Sequence, residues 1–162
     1  MSASKASLSA WNSAHQKAVL SRLASLDQRR VPEVVFQSAL TAGSFSKPEA
    51  LPELAGRATT HAEYSLIRHA LLSGLRNWEL QFLQILLSDP RWENQQPGRG
   101  ALLQSLASAV MNERQASKTE TLLTLAAGQK PRQAWRRKSL LDGIAAGTPN
   151  RWVFRRGIMS IY

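Results

Sequence analysis

The side chains able to do chemistry in this 162-residue chain are few and scattered. There is no cysteine, which excludes disulfides, thiolate zinc, iron–sulfur clusters and covalent haem attachment, since each needs sulfur. The three histidines, His15, His61 and His69, do not pair at the short helical or turn spacing that brings two imidazoles to one metal. No nucleophile elbow and no phosphate-binding glycine loop occurs. Seven of the eleven carboxylates (Asp27, Glu33, Glu49, Glu63, Asp89, Glu93 and Glu120) fall where helices start or turns form. That placement predicts helix termination rather than acid–base work. The chain reads as a non-enzyme without a cofactor.

The concentrated chemistry is cationic. Arg132, Arg136, Arg137 and Lys138 surround Trp135, and Arg151, Arg155 and Arg156 follow. Arginines at helical spacing can contact phosphates while a nearby aromatic stacks on a base. The same letters also describe a buried tryptophan whose arginine neighbours lay their stems over apolar surface. Residues 129–162 hold eight basic side chains against the single acid Asp142, in a chain whose net charge is +10. Such an end suits an anionic partner or forms a solvated basic cap.

The elements that must carry these residues recur. Four segments place a small residue one turn before another: Ala39/Gly43, Ala70/Gly74, Ser105/Ala109 and Ser139/Gly143. The steps between copies are 31, 35 and 34 residues, the period of helical-hairpin arrays. Small residues at i and i+4 let a neighbouring helix approach closely. In such an array each unit buries its apolar face only by stacking on the next.

Apolar positions from Leu8 to Leu26 predict an opening helix over 8–26, and hairpins follow from about residues 33, 63, 99 and 132. Ser46/Glu49, Thr60/Glu63 and Ser117/Glu120 have capping-box spacing and are expected to open helices. Pro48 is expected in the first turn after Ser46, Gly43 as a left-handed helix end, and Gly56 as a weak point within its helix. Leu80, Phe82, Leu83, Ile85, Leu86 and Leu87 predict a helix apolar nearly all round, at the centre of the stack. Residues 88–100 read as the longest loop, and Trp92 is predicted to fold back and plug the open end of the hairpin. His69 aligns with Ser38, Gln104 and Lys138 in a column expected to face solvent.

The expected fold is therefore all-α: a right-handed solenoid of seven or eight helices in HEAT- or armadillo-like hairpins. It forms one domain over residues 1–147, followed by a basic, apolar tail over 148–162 that departs from the repeat. No stretch reaches the roughly 18–20 apolar residues of a membrane span or the apolar core of a signal peptide, so a cytoplasmic chain is expected.

The run FQSALTAGSFSKPEALPELAGRATTHAEYSLIRHALLSGL, then FLQILLSDPRW and WRRKSLLDGIAAG, resembles the helical-repeat region of the large membrane-bound dehydrogenases of planctomycetes and verrucomicrobia. The likeness covers roughly residues 18–147. In that family the region lies between a sugar-dehydrogenase-like β-propeller and a C-terminal cytochrome c domain, in proteins exported to the cell envelope. The chain has neither a propeller nor a C-x-x-C-H motif, so the resemblance implies the connecting module alone, standing by itself or as part of a longer protein. No functional residue of the family maps onto it. The implied function is a scaffold that docks protein partners or neighbouring domains. The alternative is a basic helical-repeat protein that binds nucleic acid through Arg132, Arg136, Arg137, Lys138, Arg151, Arg155 and Arg156.

Overall fold

The computed structural model describes residues 32–44 and 49–148, with five helical positions upstream at His15, Ala18, Val19, Ser21 and Arg22. The rest of the opening helix expected over 8–26, Ser46 and Pro48, and the tail from 149 with Arg151, Arg155 and Arg156 lie outside the described residues. From Pro32 onward the described residues form seven α-helices: α1 (Pro32–Gly43), α2 (Leu51–His61), α3 (Ser65–Leu75), α4 (Glu79–Ser88), α5 (Arg99–Asn112), α6 (Ala116–Ala127) and α7 (Ala134–Gly147). Two 3-10 turns, Pro90–Trp92 and Pro131–Gln133, precede α5 and α7. No strand occurs among the described residues, and none of their helices is long and apolar enough to cross a membrane.

The predicted apolar periodicity settles which faces are buried. Leu51, Leu54 and Ala55 are inside on α2, and Leu80, Phe82, Leu83 and Leu86 on α4, where Ile85 and Leu87 pack partly covered against the same core. One cluster runs through all seven helices, from Val35 on α1 to Leu140 on α7.

The most extensive helix contacts join alternate helices, α5 with α7 and α1 with α3. Both pairs meet through glycine. A Cβ built on Gly43 would lie 2.7 Å from the Cα of Gly74, so the C-terminal ends of α1 and α3 touch backbone to backbone. On α7, a Cβ at Gly143 would fall 2.3 Å from the Gln104 carbonyl oxygen, and one at Gly147 would fall 2.7 Å from that of Ser108. Gly100 at the start of α5 faces Ser139, in the first half of α7. Contacts that advance together along both helices mean that α5 and α7 run parallel. Gly43 therefore serves close approach rather than the left-handed helix end expected of it.

Two other expectations are corrected. On α5 the predicted pair Ser105/Ala109 is not at the crossing: Ser105 is exposed, and α7 packs instead on Gln104, Ala107, Ser108 and Met111. The helix turns further than the alignment of small residues assumed, because Leu102, Leu103, Leu106 and Val110 take the core-facing positions.

The capping boxes also do not form where they can be seen. Thr60 lies inside α2 and its hydroxyl donates to the Gly56 carbonyl at 3.1 Å, while α3 starts at Ser65 behind Tyr64. Ser117 lies inside α6, behind Gln115 in extended conformation. Glu49 sits in a turn ahead of α2, whose first turn holds Pro52 and Glu53. Hydroxyls within a helix find the carbonyl four residues back, as Thr59, Thr119, Thr121 and Thr124 also do. The spacing of a capping box is then present without its geometry.

Candidate functional site

The loop between α4 and α5 is held as a built structure. Asp89 accepts from the Arg91 amide at 2.8 Å and from its guanidinium at 2.7 Å, which winds Pro90–Trp92 into a 3-10 turn. The hydrogen bond from Arg91 holds the Asp89 carboxyl below its ordinary pKa. Trp92 is fully buried, and its indole N–H donates to Thr59 Oγ1 on α2 at 2.8 Å. The predicted plug is thus present, and its polar edge is satisfied as a buried indole requires. Gly98 closes the loop at φ 77°, and a Cβ there would lie 1.8 Å from the Ala62 carbonyl oxygen. Any side chain would collide with backbone, so the position demands glycine.

Two buried arginines clamp the same loop from either side. Arg99, only 2% exposed, sits over the Trp92 ring at 4.9 Å and donates to the carbonyls of Asn94 at 3.1 Å, Thr59 at 3.3 Å and Arg91. Arg136, 3% exposed, donates from Nε to the Trp92 carbonyl at 3.0 Å and from Nη1 to the Leu87 carbonyl at 3.1 Å. Burial lowers both guanidinium pKa values, yet arginine stays charged in proteins. Each therefore works as a rigid multi-donor cap on carbonyls that helix ends leave unpaired.

The cations singled out in the sequence have separate roles. Arg136 leaves the anion-contact set because it is buried and its donors meet backbone carbonyls. Arg132 pairs with Glu93 at 2.8 Å and Lys138 with Asp142 at 2.7 Å, both at the surface. Arg137 donates to the carbonyls of Ala127 and Gln129, closing the end of α6. Trp135 is half-buried, its indole N–H donates to the Glu93 carbonyl at 3.3 Å, and the Arg136 guanidinium lies 5.8 Å from its ring. Of the predicted solvent-facing column, His69, Gln104 and Lys138 are exposed. Ser38 is buried instead, and accepts from Arg57 Nε at 3.2 Å.

A second cluster was not singled out in the sequence. Glu79 at the start of α4 and Glu113 at the end of α5 are both largely buried, and Lys118 of α6 donates to Glu113 Oε2 and to the Asn77 carbonyl at 3.1 Å. Desolvation raises the Glu79 pKa, its own backbone amide opposes that, and the nearby Glu113 carboxylate adds to the rise. The available signal was weak: two short helix junctions, RNWE and NERQ, each with an Asn beside or near an Arg.

An apolar groove of 580 Å³ is lined by Leu51, Trp78, Gln81, Gln84, Ile85, Ser88 and Asp89. Its one ionisable wall residue, Asp89, is already committed to Arg91. Among the described residues no three histidine, aspartate or glutamate side chains converge as metal ligands. The chain matches no family model, no curated protein and no solved structure.

Proposed function

We propose that the chain is a HEAT-like α-solenoid acting as a non-catalytic scaffold, of the kind that joins or docks other domains. The observation that carries this reading is the parallel stacking of alternate helices through glycine contacts, α1 on α3 and α5 on α7. Parallel alternate helices are what a stack of hairpins produces, because each hairpin repeats the direction of the one before it. The placement of charge supports the same reading. Arg57, Arg99 and Arg136 are buried and spend donors on the protein's own backbone or side chains, which rigidifies the stack. The sequence likeness to the connecting region of propeller–cytochrome dehydrogenases suggests the class of neighbours: a β-propeller and a haem domain.

The test is binding. Calorimetric titration of the chain with separately produced β-propeller and cytochrome c domains of that dehydrogenase family should give saturable binding to at least one. No heat with either, together with tight binding to arbitrary duplex DNA, would replace the scaffold by the nucleic-acid reading.

A further inference from the structure

The Glu79–Glu113–Lys118 cluster joins two turns whose backbones are unusual. In the α3–α4 turn Arg76 has φ 21° and Asn77 φ 69°, and in the α5–α6 turn Arg114 has φ 55°. Left-handed conformations are tolerated by asparagine and are uncommon for other side chains. Such conformations persist where surrounding contacts hold them. Within each turn backbone bonds contribute, Trp78 N–H to the Leu75 carbonyl and Arg114 N–H to the Met111 carbonyl, both at 3.1 Å, and one lysine links the two. Lys118 donates to the Asn77 carbonyl in the first turn and to Glu113 Oε2 beside the second. Arg76 and Arg114 themselves are exposed.

The carboxyl oxygens left over carry the argument further. Glu79 Oε2 and Glu113 Oε1 are shut off from water and have no hydrogen-bond partner. Two ionised carboxylates cannot hydrogen-bond each other, and burying them together with one lysine leaves an uncompensated negative charge. If Glu79 carries a proton, its hydroxyl donates to Glu113, and the cluster becomes one neutral acid, one carboxylate and one ammonium, with net charge zero.

We propose that Glu79, Glu113 and Lys118 form a proton-operated latch between the α3–α4 and α5–α6 turns. A proton on Glu79, donated in a hydrogen bond to Glu113, closes it, and loss of that proton to solvent as pH rises loosens it. The charge acting on Glu79 comes from Glu113 at the end of α5 and from Lys118 on α6, while the amide at the start of α4 favours its ionised form. The sign follows from linkage. A carboxyl whose pKa is raised on folding, here above its ordinary 4.5, contributes stability that is complete below the unfolded pKa and disappears as pH rises through the folded one.

The experiment compares the full chain with Glu79→Gln, which keeps the donor and cannot ionise. Amide hydrogen exchange at residues 76–78 and 113–115 reads the latch locally. As pH rises above the ordinary carboxyl range, exchange there should accelerate in the native sequence, beyond the intrinsic chemical rate, by about tenfold for each pH unit over which the closed latch holds a proton that the open one has lost. In Glu79→Gln that extra acceleration should vanish, and so should the infrared band of a neutral carboxyl that the native sequence loses over the same range. Lys118→Met removes the compensating charge and should move the transition to higher pH. Identical exchange profiles for the native chain and Glu79→Gln would overturn the proposal, as would a transition that stays in place in Lys118→Met. If Lys118→Met does not fold, the Glu79→Gln comparison and the infrared band decide the matter alone.

Discussion

At the scale of single residues, Arg99 and Arg136 are buried and spend donors on backbone carbonyls far away in the sequence. Arg136 satisfies carbonyls of Leu87 and Trp92, more than forty positions earlier in the chain. Its replacement by alanine should leave both unpaired, at about 1–3 kcal/mol each. Lysine should not rescue the loss, because a single ammonium cannot reproduce the planar fork. A urea melt of Arg136→Ala and Arg136→Lys checks this, and a native midpoint in either would refute it. The glycines make a second test by contrast. A Cβ at Gly56 meets nothing within 4 Å, whereas one at Gly143 meets the Gln104 carbonyl at 2.3 Å. Gly56→Ala should therefore raise stability by about 0.5–1 kcal/mol through helix propensity, and Gly143→Ala should lower it by about 1–3 kcal/mol through overpacking. Thermal melts that moved both variants in the same direction would count against the α5–α7 contact. Sequence reading anticipated the burial of Trp92, because a tryptophan in a polar loop is costly to leave exposed. It did not anticipate Arg136 as a clamp, since nothing near Arg136 in the sequence names the carbonyls that reach it.

At the scale of elements, apolar periodicity identified the helices well and their ends poorly. The faces of α2 and α4 follow directly from where the leucines recur. Helix starts depend on a competition that spacing alone does not show, in which a serine or threonine caps a helix only if its own backbone is extended there. Thr60 and Ser117 are helical, so their boxes are formal coincidences. The small pairs divide in the same way. Ala39 and Ala70 are buried, and Gly43 and Gly74, four residues on, meet at the α1–α3 contact; Ala70→Leu should cost about 1–3 kcal/mol by overpacking. An unchanged urea midpoint for that variant would argue against the register. Ser105 is exposed, and Ser105→Leu is expected to leave the midpoint nearly unchanged because no helix presses on it.

At the scale of the whole molecule, the question is what an excess of positive charge does. The surface cations Arg132 and Lys138 face Glu93 and Asp142, and exposed pairs of this kind contribute at most about 1 kcal/mol and remain open to salt and to competing partners. Fluorescence anisotropy with arbitrary duplex DNA at about 50 and 200 mM salt separates the two functional readings. The scaffold reading expects no binding at either, while binding that weakens steeply with salt would favour the nucleic-acid one. Composition, the absence of cysteine and the hydrophobic period by themselves determined that the chain is helical and free of thiol chemistry, because these properties are additive along the chain. Which glycine meets which backbone, which arginine is buried and which two glutamates share a desolvated corner were decided by the tertiary structure alone. Each depends on groups far apart in sequence arriving within hydrogen-bonding distance, where burial makes every unmatched charge or carbonyl costly.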